Sequence, residues 1–294
     1  MKHEYAEING VKLHYAANGS GKLMMFLHGF PEFWYEWKNQ LVEFGQDHLA
    51  IAPDMRGYNL SSKPEQVEAY QIEHLIEDVR LLAEHLGYKK FTLIAHDWGG
   101  AVAWVFASKY PEYLEKLIII NAPHPAVFQR ELLENPGQQQ ASQYMLMFRA
   151  PEAESVISAN DYALIVESVL SEGLEKGFFT QEDKKAYLEA WSQPGALTGG
   201  LNYYRAAEAG PPVTEADKGK ISAFSNAFSS FIVKAPTLVI WGEKDPYLLL
   251  GNLSGLGDYV PELTIKPIPD GTHWVIHEKP ELVNSYIREF IKEN

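Results

Sequence analysis

Residues Phe91 to Gly100 read FTLIAHDWGG, and the fold turns on them. Phe91–Ala95 is a short, mostly apolar run without strict alternation, as expected of a strand buried on both faces of a sheet. Small residues follow at Ala95, Gly99 and Gly100, then a helical pattern through Val102, Val105 and Phe106. The segment therefore predicts strand, sharp turn and helix, with Asp97 at the tip of the turn. Two roles are open for Asp97 at this point. It can cap the helix N-terminus, or it can stand clear of the sheet as a reacting group.

Working outward, Asn9-Gly10 marks a hairpin turn, and Val11, Leu13 and Tyr15 alternate after it. Leu23–Leu27, Leu49–Ala52 and Leu117–Ile120 are further short apolar runs. Between them Ile72, Leu75, Ile76, Val79, Leu82 and Leu86 recur at helical spacing, with Gly87 as a stop. This alternation predicts a mostly parallel, doubly wound α/β sheet. From about Pro123 to about Val233 no comparable strand occurs, only helix-like stretches rich in Ala, Leu, Glu and aromatics. Residues 236–242 (PTLVIWG) and Leu263–Pro267 then restore strands. A closing amphipathic helix is expected to bury Leu282, Tyr286, Ile287, Phe290 and Ile291. The expected organisation is one core domain, 1–123 plus 234–294, with a helical insertion at 124–233.

Composition narrows the function classes. The 294 residues include 46% hydrophobic and 22% charged side chains, ordinary for a protein with a real core. Acidic residues outnumber basic ones 39 to 25, a formal charge of -14 that argues against nucleic acid as a partner. Cysteine is absent, so disulfides, thiolate metal sites and a Cys nucleophile are excluded. No run is long enough to span a bilayer, and the first ten residues lack the apolar core of a signal peptide. A soluble, cytoplasmic protein is expected. The sequence leaves oligomeric state open.

Several other residues bear on Asp97. The run ending at Leu27 leads into His28-Gly29-Phe30-Pro31-Glu32, so the Phe30 N–H can face the turn and, with the Trp98 N–H, form an oxyanion hole. Asp245 follows a buried strand in WGEKDP, and His273 lies in GTHW before the last helix. Nucleophile, acid, then His is the chain order of an α/β-hydrolase triad. An Asp at the nucleophile position can displace a leaving group from an sp³ carbon without a base to activate it. Water activated by His273, itself oriented by Asp245, then hydrolyses the ester. His273 and His277 stand four apart, a spacing that can ligate metal, but the triad explains His273, so neither a metal nor a cofactor is expected. His28 and His96 read as structural polar residues, and Arg56 as a group near the oxyanion loop.

HGFPEFWYEW, DMRGYNLSSKP, HDWGGAVAW, NAPHP and GTHW…HEKP resemble the epoxide hydrolases of the α/β-hydrolase superfamily over nearly the whole chain. The resemblance implies an α/β-hydrolase fold, conversion of a small apolar epoxide and water to a vicinal diol, and two cap tyrosines donating to the epoxide oxygen. Tyr144 in ASQYMLMFR and Tyr204 in LNYYR match those tyrosines. Trp98, Phe148 and Tyr203 are expected to contact substrate. Trp34, Trp37, Phe128, Met145, Met147 and Trp191 are further aromatic and sulfur residues that either line a pocket or fill the core. HGFP and HDWGG also occur in some haloalkane dehalogenases, so the alternative is a hydrolytic dehalogenase using the same three residues, with Trp98 binding halide and Trp191 the candidate second donor. A fluoroacetate-type variant needs cations near the nucleophile, where Trp98 and Ala101 stand instead. A non-catalytic receptor on the same fold is the third reading, disfavoured because all three triad candidates are present.

Overall fold

The Asn9-Gly10 turn closes the predicted hairpin between β1 (Lys2–Ile8) and β2 (Val11–Gly19), both glycine and asparagine adopting positive φ. The computed structural model describes residues 1–214, 217 and 231–292. The remaining strands are β3 (Leu23–Leu27), β4 (Leu49–Pro53), β5 (Phe91–His96), β6 (Leu114–Ile120), β7 (Thr237–Gly242) and β8 (Leu263–Ile268). They form one sheet in the order β1-β2-β4-β3-β5-β6-β7-β8. Pairing is antiparallel from β1 to β4 and parallel from there to β8. The chain is thus an α/β-hydrolase fold with a mostly parallel sheet. β6 starts three residues before its apolar run, because Leu114 still pairs with Phe91 across a register shift.

Helices α1 (Lys38–Phe44), α2 (Ile72–His85) and α3 (Asp97–Lys109) cover the first half of the sheet. Two apolar cores lie on its opposite faces. On β5, Leu93 and Ala95 pack with Val102 and Phe106 of α3, while Ile94 points the other way toward Trp37, Leu41 and Phe44. Each fully buried side chain of this size contributes about 2 kcal/mol of transfer free energy. This two-sided burial is why the parallel strands carry no polar alternation.

Between β6 and β7 the described residues form helices and no strand: α4 (Pro125–Glu134), α5 (Pro136–Ala141), α6 (Tyr144–Arg149), α7 (Ala153–Ile165), α8 (Glu172–Lys176), α9 (Gln181–Trp191) and α10 (Ala196–Ala206). Residues 215–216 and 218–230 of the expected insertion lie outside the described residues. After β8 come α11 (Val275–Glu278) and α12 (Pro280–Lys292). On α12 the buried residues are Val283, Ile287 and Phe290, whereas Leu282 is exposed. The expected stripe was one position off at its start, because the four-three spacing that meets the sheet begins at Val283. Among the described residues no helix is long and apolar enough to cross a membrane.

Candidate active site

Asp97 sits at the junction of β5 and α3 with φ +48°, a left-handed conformation that costs a residue other than glycine roughly 1–3 kcal/mol. The conformation removes one of the two roles left open by the sequence, the helix cap. His96 occupies the N-cap position and no side chain caps α3. The Asp97 carboxylate instead turns toward the loop after β3, where Oδ1 accepts from the Phe30 N–H at 2.7 Å. Gly29 makes room for this approach, since a Cβ there would lie 2.3 Å from the Asp97 Cβ. At Gly99 a Cβ would meet the Leu27 carbonyl oxygen at 2.3 Å, so the sharp turn needs glycine at that contact.

Two strand ends bring the partners. Asp245 follows β7, and its Oδ1 accepts the N–H groups of Tyr247 and Leu248 at 2.8 and 2.9 Å. Its Oδ2 accepts from the Asn121 amide at 2.8 Å and lies 2.7 Å from His273 Nδ1. Every lone pair direction of this buried carboxylate is thereby used, which fixes the orientation of the imidazole. The other edge of the His273 ring faces Asp97, with Nε2 to Oδ2 at 3.6 Å. Burial opposes a cation at His273, but Asp245 and Asp97 outweigh it and raise the imidazole to about 10. Burial likewise opposes ionisation of Asp97, yet His273 and the Phe30 N–H keep its carboxyl below the usual range. The unliganded site thus sets the carboxyl groups of Asp97 and Asp245 around one imidazole, with charge favoured on Asp97 and His273.

A second polar layer lies beneath. His96 Nδ1 is 2.5 Å from Glu36 Oε1, and His96 Nε2 is 3.0 Å from the main-chain oxygen of His273. Glu32 accepts from Tyr187 at 2.6 Å and lies 3.0 Å from His277 Nε2. His277 is thus buried on Glu32 and turned from His273, so the two do not converge on a metal. Among the described residues, Glu32, Glu36 and His277 form the one group of three or more ligand-type side chains whose atoms all lie within 4.8 Å of one another. Both oxygens of Glu32 already serve Tyr187 and His277, so hydrogen bonding accounts for this group. His28 is also structural, bonded to the Gly29 carbonyl and accepting from the Met55 N–H.

The helices between β6 and β7 supply the opposite wall. Two cavities, of about 200 and about 60 Å³, meet at Asp97, Tyr144 and Tyr204, which line both. The larger is walled by Met147, Phe148, Leu164, Ile165, Tyr247 and Trp274, the smaller by Trp98, Phe128, Leu132, Met145 and Leu248. Burial, aided by nearby carboxylates, pushes both tyrosine hydroxyls well above their ordinary range, so both remain protonated donors. Tyr144, Phe148 and Tyr204 pack edge-on against one another.

Three expected residues face elsewhere. Tyr203 lines neither of these cavities. Its hydroxyl donates to the Arg56 carbonyl at 2.9 Å, because one step along α10 turns a side chain about 100° from Tyr204. The Trp191 indole donates to the Pro31 carbonyl at 2.6 Å, away from Asp97. The Arg56 guanidinium binds Asp78 and the Ala69 carbonyl rather than the oxyanion loop. Trp37 is core, and Trp34 packs against it. Sequence reasoning missed Asn121, whose NAPHP context sits at the end of β6 and signals only a turn. It also missed Tyr247, Trp274 and Glu36, which no spacing rule ties to Asp97.

The α/β-hydrolase fold family model matches residues 22–280. A mouse protein named epoxide hydrolase 4 is 38% identical over 99% of this chain and 80% of its own length. The chain belongs to the epoxide hydrolases of the α/β-hydrolase family. Its likeness to other members of that family is full-length: the structure of an epoxide hydrolase from Bacillus megaterium, solved with an inhibitor, has a TM-score of 0.93 and 40% identity. The match covers 99% of this chain and 100% of that one. YfhM of Bacillus subtilis, an α/β-hydrolase superfamily protein, is 41% identical over 99% of this chain and 98% of its own.

Proposed function

We propose that this epoxide hydrolase converts small apolar epoxides to vicinal diols through an ester on Asp97. The observation that carries the reading is the shared edge of the two cavities, where one ionised carboxylate faces two protonated phenols. Oδ1 of Asp97 is held by the Phe30 N–H, leaving Oδ2 to attack an epoxide carbon as the ring C–O bond breaks. Tyr144 and Tyr204 donate to the epoxide oxygen as it becomes an alkoxide, in a site lined largely by apolar side chains where such donation is strong. The described residues of the 124–233 insertion act as the cap that brings these phenols over the described core residues of 1–123 and 234–294.

Ester formation changes the electrostatics in the direction the second step needs. In the free enzyme His273 is protonated and cannot take a proton. Once Asp97 is esterified its negative charge is gone, so one of the two groups raising His273 is lost. His273 then releases its proton, to the alkoxide or to a tyrosinate that has protonated it, and becomes the base. It removes a proton from water, whose oxygen attacks the Asp97 carbonyl carbon. The oxyanion forms on Oδ1 at the Phe30 N–H, with the Trp98 N–H as the second donor in this reading. Asp245, 2.7 Å from His273 Nδ1, orients the ring and stabilises the returning imidazolium. The ester C–O bond then breaks, the proton of the added hydroxyl passes to the departing alkoxide oxygen, and the diol leaves as Asp97 regains its charge.

Phe148 and Trp98 contact substrate from the larger and smaller cavities in this scheme. Hydrolytic dehalogenation uses the same three residues but needs a second halide donor beside Trp98, and Trp191 is committed to Pro31. The test is a diol assay on styrene oxide run beside a halide-release assay on short haloalkanes. Diol without halide supports the epoxide reading; halide release with no diol overturns it.

A further inference from the structure

Glu36 lies beneath the triad, on the 3-10 turn Trp34–Trp37 before α1, and plays no part in the mechanism above. It is fully buried, and its Oε2 has no hydrogen-bond partner. Its Oε1 meets His96 Nδ1 at 2.5 Å, and the opposite ring nitrogen meets the His273 carbonyl oxygen at 3.0 Å. A carbonyl only accepts, so His96 carries a hydrogen on Nε2. Two arrangements remain. Either His96 is neutral and Glu36 donates to a bare Nδ1, or His96 is a cation facing a Glu36 carboxylate.

The surroundings decide between them. A buried carboxylate with one bare oxygen is costly, whereas a neutral acid leaves only a carbonyl unpaired. The charged and titratable groups nearest Glu36 are Glu32 and Asp97 on the acidic side, and His277 and His273 on the basic side. His277 is committed to Glu32, and His273 to Asp245 and Asp97. Among the described residues, neither imidazole is left to hold an anion at Glu36. A cationic His96 would also lie beside the His273 imidazolium, ring centroids 4.6 Å apart. Burial, with Glu32, raises Glu36 well above the ordinary carboxyl range, while burial and His273 depress His96 to about 4.

We propose that Glu36 is a protonated positioning residue: its carboxylic acid donates to His96 Nδ1, fixes that ring as the neutral Nε2–H tautomer, and so anchors the main chain of His273. The neutral pair leaves the charge next to His273 free to change when Asp97 is esterified. A cation at His96 would instead hold His273 deprotonated by repulsion and remove the switch. Only the kinetic consequence rests on the ester reading of Asp97; the proton on Glu36 does not.

The test joins spectroscopy, stability and kinetics on the full chain. The difference infrared spectrum of wild type minus Glu36→Gln at neutral pH shows a protonated carboxyl band assigned to Glu36. Because a protonated buried acid costs more stability as pH rises above its unfolded value, the melting temperature of Glu36→Gln relative to wild type increases from about pH 5 to about pH 8. Glu36→Leu leaves Nδ1 bare and lowers the rate of ester hydrolysis about tenfold with KM held and its pH dependence shifted. Glu36→Gln, whose amide still donates to Nδ1, recovers most of that loss. Absence of the band, or a Glu36→Gln variant that loses stability most at high pH, overturns the proposal by showing an ionised Glu36. Leu and Gln variants with identical pH profiles for hydrolysis overturn the positioning role. If wild type forms no ester on Asp97, the ester reading fails, and the infrared and melting results still judge Glu36.

Discussion

The two walls of the active site are built by different physics. On the core side, Asp97, Asp245 and His273 sit just beyond strand ends or in the loop after one, and each is fixed by short polar contacts, among them the Phe30, Tyr247 and Leu248 N–H groups and the Asn121 amide. On the helical side, Tyr144, Phe148 and Tyr204 are placed by helix phase and aromatic packing. A polar wall of this kind tolerates almost no displacement, because each lost partner leaves a buried charge unpaired. An apolar wall can change shape while keeping its donors. The core wall is therefore suited to fixing the reaction, and the helical wall to choosing what reacts.

Removing a core-side group should have the largest effect. Asp97→Ala is expected to lower epoxide turnover by at least ~10⁴-fold, measured as diol formation, with the fold intact by circular dichroism. Next comes the helical wall: Tyr144→Phe combined with Tyr204→Phe should slow ester formation about 10³-fold in single-turnover experiments while leaving hydrolysis of preformed ester much less affected. Equal slowing of both half-reactions would erase the division between the walls.

The pH dependence separates the walls more gently. Asp97 is held ionised below the usual carboxyl range, and both tyrosines stay protonated well above theirs. Ester formation should then be nearly flat from about pH 5 to about pH 9, whereas hydrolysis should rise with pH because it needs neutral His273. Rapid-quench measurement of the two half-reactions checks this. The smallest effect is expected at Tyr203, one residue from Tyr204. Tyr203→Phe should change kcat by no more than about threefold and cost about 1 kcal/mol of stability, through the unpaired Arg56 carbonyl. A large loss of kcat there would mean that the helix phase has been misread.

The same contrast explains what the sequence disclosed. The sheet was legible because strands buried on both faces must be continuously apolar, and the convergence of Asp97, Asp245 and His273 because chain order and strand-end placement are local properties of WGEKDP, GTHW and HDWGG. The start of β6 was not, since the partly exposed Glu115 and Lys116 interrupt the apolar signal. Tyr203 and Tyr204 could be separated only by the phase of α10, a tertiary property. Trp191 and Arg56 were aromatic and basic residues in plausible places, but their donors go to Pro31 and to Asp78. Glu36 and Asn121 were invisible for another reason. Their importance comes from buried hydrogen bonds across 60 and 124 residues of chain.

The most direct test of the account is to stop the enzyme between its two steps. His273→Gln, incubated with styrene oxide and digested, should yield the peptide containing Asp97 with the mass of one added epoxide, and diol should not accumulate. An unmodified Asp97 peptide, or an adduct on another residue, would contradict the covalent route through Asp97.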